Sequence, residues 1–170
     1  MNKNLSLSLQ LILIGCLTFF IHELVHFLAH LSLGHTVNFN INHIDLIQPK
    51  KIMDNWKQAW VSGSEAFFTF FQGFVAFLML KKKSSRFWFN VLLSAFVLRL
   101  AAALLGIIKS SDEIKTSIAM GLPSYFWTSI VLLGLLYLIF KAKNKIGLKP
   151  RIILIHFTLL VIVTYLFSLI

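Results

Sequence analysis

Five stretches of this chain, 5–33, 59–80, 87–108, 124–140 and 152–170, are long and apolar enough to cross a bilayer as helices. The hydrocarbon core is about 30 Å thick and takes roughly 20 apolar residues at the helical rise. The expected fold is therefore an all-α polytopic membrane protein of about five transmembrane helices. The connections are too short to hold a second domain, so residues 1–170 read as one membrane domain. Composition agrees: 58% of residues are hydrophobic and only 13% charged, with mean hydropathy +0.82, whereas soluble domains carry about 25% charged residues. Low polarity excludes disorder, and a lone Cys16 excludes a disulfide scaffold. The net charge of +10 does not make a nucleic-acid reader, because so apolar a chain has little water-facing surface for a basic stripe.

The charge instead sets orientation, since Lys and Arg collect on the cytoplasmic side of membrane proteins. Lys81, Lys82, Lys83 and Arg86 fill one loop; Lys141, Lys143, Lys145, Lys149 and Arg151 fill another. With Lys3 they outnumber Lys50, Lys51, Lys57, Lys109 and Lys115 on the opposite side two to one. The expectation is a bacterial cell-membrane protein with its N-terminus in the cytoplasm. Lys3 and the apolar run up to Leu13-Ile14-Gly15-Cys16 also have the outline of a lipoprotein signal, but the chain stays apolar beyond Cys16. Cys16 therefore reads as an ordinary helix residue.

The remaining polar residues lie inside the spans. The first span ends in His22-Glu23-Leu24-Val25-His26. Two His at i and i+4 share a helix face about 6 Å apart along the axis and can ligate one zinc ion. The intervening Glu then lies beside the metal's open position, where it can take a proton from water. A Glu near the bilayer centre costs about 2.5–3.5 kcal/mol to insert, which favours a functional reading. A catalytic zinc needs a third protein ligand. His30 continues the series but sits about 12 Å along the axis from His22; His35 and His43 reach the site only if the following loop folds back. Asp112 is the better candidate, because spans one and three are parallel by alternation and Asp112 ends span three at the level of the His pair. Glu113 is the neighbouring alternative.

Ser62, Glu65, Thr69 and Gln72 make a polar stripe at helical spacing on span two. Glu65 and Arg99 lie at similar depth, which suggests a structural ion pair; Glu65 could alternatively line the substrate path or contact the metal. His156 reads as a packed core histidine with a hydrogen-bonded ring. Trp56 and Trp60 read as interfacial anchors, and Ala102 with Gly106 as a close helix contact. After Gly34 the period changes: Val37, Phe39 and Ile41 alternate with Asn38, Asn40 and Asn42, as in a strand or hairpin.

This constellation resembles the site-2 protease class of intramembrane zinc metalloproteases, whose core is three membrane helices with HExxH on the first and a zinc-binding Asp on the third. His22-Glu23-x-x-His26 matches the first element, Asp112 the second, and Gly34 with Val37, Phe39 and Ile41 is similar to the strand region that follows. The resemblance covers residues 11–123, with spans four and five as accessory helices. It departs from the class where Glu113 follows Asp112 in place of Gly, and where Gly63-Ser64-Glu65 stands in place of a Gly-Pro pair. The resemblance implies zinc as cofactor, His22, His26 and Asp112 as ligands, and Glu23 as catalytic base. It implies a membrane-bound peptide or protein as substrate, with His30, Glu65, Arg99 and Glu113 as further residues around the site or substrate path. The competing expectations are an inactive protease-like membrane scaffold and a metal- or haem-binding membrane protein.

Overall fold

The computed structural model describes residues 3–39, 44–46, 54–106, 111–147 and 150–168. Its elements run α1 (Lys3–Ser32), β1 (Val37–Phe39), β2 (Ile44–Leu46), α2 (Asn55–Lys82), α3 (Arg86–Leu105), α4 (Asp112–Ala119), α5 (Phe126–Ile146) and α6 (Pro150–Ser168). The all-α expectation is met. Among the described residues, four helical segments are long and apolar enough to cross a membrane: Leu9–Ser32, Asn55–Lys82, Arg86–Leu105 and Phe126–Lys143. The expected fifth corresponds to α6, where the apolar stretch described, Arg151–Tyr165, is shorter than the others.

These segments are helical because their apolar runs are continuous and their breakers stand at the ends. Lys83, Ser84 and Ser85 separate α2 from α3, while Gly147 in the left-handed conformation (φ 60°) follows α5. Each long helix reverses direction, so α2 and α3 pack together, with α3 also against α5, α6 and α1. Phe89, Leu92, Ala95, Ala66, Ala76 and Leu135 are fully buried where α2, α3 and α5 meet. Close approach there depends on small residues. A Cβ at Gly134 would lie 2.6 Å from the Phe70 ring, and one at Gly73 would collide with Leu135.

Outside this core the surface is apolar too: Leu13, Leu17, Phe67, Leu133 and Leu154 are all more than half exposed. Large apolar side chains exposed in such number are unusual on a water-facing monomer.

The expected strand or hairpin is present, and other expectations change in detail. The period-two segment is an antiparallel hairpin, Val37 opposite Leu46 and Phe39 opposite Ile44, whereas Ile41, His43 and Lys109 lie outside the described residues. Gly106 does not open a seam between two spans. It caps α3, and a Cβ there would lie 2.9 Å from the Ser111 hydroxyl where the chain enters α4. His156 is buried as expected, its Nδ1 donating to Asn90 Oδ1 at 3.0 Å between α6 and α3. Short α4 was not anticipated. It packs against α2 and α5 and carries Asp112 and Glu113 into the bundle.

Candidate functional site

The polar residues of α1, α2, α3 and α4 meet at the C-terminal third of α1. His22 and His26 stand one turn apart there, and Glu65 faces both from α2. Its Oε2 lies 2.9 Å from His22 Nε2 and 3.8 Å from His26 Nδ1, with the Glu65 carboxylate almost wholly buried. Glu23 shares the cluster, its Oε1 3.9 Å from His22 Nε2. From α3 comes Arg99, only 1% exposed, donating through Nη1 to Glu113 Oε1 at 2.5 Å and through Nη2 to His22 Nδ1 at 2.6 Å.

These partners fix the state of both rings. A backbone carbonyl only accepts, so His26 Nδ1, 3.1 Å from the Val61 oxygen, carries the hydrogen. Its Nε2 lone pair is then left for another partner. This is the arrangement that orients metal-ligating imidazoles. His22 is held differently. A guanidinium only donates, so His22 Nδ1 accepts from Arg99 and its Nε2–H points at Glu65. In this arrangement His22 has no lone pair to give.

The depth argument paired Glu65 with Arg99. Instead Arg99 takes Glu113, and Glu65 turns to the histidines. Glu113 is thereby engaged by a cation, as are His22 and Asp112. Asp112, at the start of α4, accepts from Lys115 Nζ at 2.6 Å. Burial pushes the Asp112 carboxyl up. The Lys115 ammonium opposes this by charge and hydrogen bond and holds it below its ordinary value.

The donor set of His22, His26, Glu65 and Asp112 has the chemistry of a zinc site. As the side chains stand, no group of three or more among the described residues is disposed to hold a metal ion. His26 fits a ligand role directly. His22 fits it once its ring leaves Arg99.

The polar stripe of α2 faces α1 and α3. Gln58 donates to Ser62 at 2.7 Å, Gln72 to Thr18 at 2.9 Å, and Thr18 in turn meets Ser94 at 3.1 Å. His30 lies beyond His26, ring edge against ring at 5.0 Å, and its Nδ1 meets His35 Nδ1 at 3.0 Å. A cavity of about 450 Å³ adjoins the site between α1, α2, α4 and α5, lined by Val25, Ala29, Trp60, Gly63, Thr116 and Trp127 among others.

Sequence reasoning missed Arg99 as a partner of His22 and the Val61 carbonyl as the group that orients His26. The first carried a signal, a lone cation in an apolar span; the second, a backbone atom, carried none. Compared with known proteins, the chain matches no family model, no curated protein and no solved structure.

Proposed function

We propose that this chain is an integral-membrane zinc metallopeptidase that hydrolyses a peptide bond in or near a membrane segment of a protein substrate. One observation carries the reading. Both imidazoles of the His22-x-x-x-His26 pair face the buried carboxylate of Glu65, at 2.9 and 3.8 Å, inside a bundle of apolar helices of spanning length. Buried charge of this kind is expensive in a membrane and is characteristically functional.

His26 would hold zinc through Nε2, His22 through the ring nitrogen freed from its present partners, and Asp112 would be the third ligand, with Glu65 the alternative. Bound zinc supplies a Lewis acid that makes water more acidic and polarises the peptide carbonyl. Glu23 takes the proton of the attacking water and returns it to the amine nitrogen as the C–N bond breaks, so its carboxylate ends the cycle as it began. The substrate enters as a locally unwound segment, because peptide groups in an intact membrane helix are already hydrogen-bonded. The apolar cavity lined by Val25, Ala29 and Gly63 is suited to side chains that come from lipid.

The test joins metal content to cleavage. In purified chain, His22→Ala and His26→Ala should each lose zinc by elemental analysis. Glu23→Gln should keep the zinc and lose cleavage of a membrane-spanning peptide by about 10²–10⁴-fold, the usual worth of a general base. Zinc unaffected by both His substitutions, or cleavage unaffected by Glu23→Gln, sinks the assignment.

A second reading, a metal-free protease-like scaffold, is favoured by the Arg99 guanidinium lying on His22 Nδ1. It requires that the wild-type chain hold no zinc at this site.

A further inference from the structure

The end of α1 is built by a left-handed glycine. Gly34 has φ 75°, its N–H bonds the Leu31 carbonyl at 2.9 Å, and the His35 N–H reaches back to the His30 carbonyl at 3.2 Å. This pairing of a six-to-one and a five-to-two bond is the Schellman cap. In that cap the residue just past the glycine packs on the residue that accepts the six-to-one bond, ordinarily through an apolar contact. Here both positions are histidine. The cap therefore clamps His35 onto His30, with rings 5.3 Å apart and the two Nδ1 atoms 3.0 Å from each other.

Two imidazole nitrogens each about 2.0–2.1 Å from one zinc ion, at a near-tetrahedral angle, stand about 3.3 Å apart. The observed separation is within a small ring rotation of that value. Only one hydrogen can lie between the two Nδ1 atoms, so at least one lone pair already points into the gap. His30 is 5% exposed and positioned by the helix, while His35 is only half-buried and reachable from water. One partner is thus preorganised and the other accessible from water.

We propose that His30 and His35 form a second site, a peripheral two-histidine site for a zinc-class divalent ion, created by the cap of α1. It shares no ligand with the buried cluster and stands whether or not the peptidase reading does.

The experiment uses the full chain in detergent micelles, stripped with a chelator and dialysed against Zn²⁺ alone. His35→Ala keeps the backbone bonds of the cap, and its fold is checked by circular dichroism. It should bind one zinc fewer than wild type, both alone and in a His22→Ala background, and His35→Cys, which supplies a thiolate ligand, should recover the lost ion. The proposal is overturned if His35→Ala and wild type bind equal zinc in both backgrounds, or if His35→Cys recovers nothing. Zinc lost only through His22→Ala would leave the buried site standing and remove this one. Zinc lost only through His35→Ala would do the reverse.

Discussion

Arg99 shows how a single buried side chain can hold two alternatives in balance. A guanidinium taken out of water costs several kcal/mol unless its hydrogens find partners; Arg99 finds Glu113 and His22, while its Nε has none among the described residues. Removing the cation alone, as in Arg99→Leu, strands the Glu113 carboxylate in the bundle and should cost about 3–5 kcal/mol. The double variant Arg99→Leu with Glu113→Leu removes both charges and should regain most of that loss in thermal unfolding in detergent. The double variant also releases His22 Nδ1. If Arg99 competes with zinc for this ring, zinc affinity should rise about tenfold, a change of about 1.4 kcal/mol; unchanged affinity in a folded double variant would show that the contact does not oppose metal. From sequence, Glu65 and Arg99 were visible as buried charges at matching depth. Depth along a helix leaves azimuth open, and the azimuth sends Arg99 to His22 and Glu113 instead of Glu65. The spacing of His22, Glu23 and His26 needed no such information, because one helix carries all three.

At the scale of elements, apolar run length picks out long helices and overlooks α4. An eight-residue helix that buries Glu113, Ile114, Thr116 and Ser117 has no long hydrophobic run to announce it. Yet α4 delivers both acidic residues, so the third side of the site was legible only as a loop position near the end of span three. The packing of α2 on α5 was equally hidden, since it rests on which glycine faces which ring. Gly134 lets Phe70 of α2 lie across α5. Gly134→Val should therefore lower stability by about 1–3 kcal/mol through overpacking. In a Phe70→Ala background the same change should cost clearly less, because the ring it would strike is gone. Equal penalties in the two backgrounds, read from melting temperatures in one detergent, would mean that this contact does not set the α2–α5 distance.

For the whole molecule, alternation of the helices puts unlike loops at opposite ends. The His cluster, the hairpin and α4 share one end with the start of α2; Lys81, Lys82 and Arg86 at the α2–α3 turn, with Lys141 and Lys143 near the end of α5, occupy the other. The positive-inside bias predicts that the basic end faces the cytoplasm and the His cluster the opposite side. Cys16 is the lone cysteine, so a Cys16→Ser chain offers a clean background for labelling. Met120→Cys, exposed at the end of α4, should react with a membrane-impermeant thiol reagent in intact cells. Lys83→Cys, exposed after α2, should react only once the membrane is opened. The reverse pattern would turn the molecule over and bring the His cluster to the cytoplasmic side. Labelling of both in intact cells would contradict any fixed orientation. The outcome also bears on zinc supply, because the face that His35 presents decides which compartment's metal the end of α1 can reach.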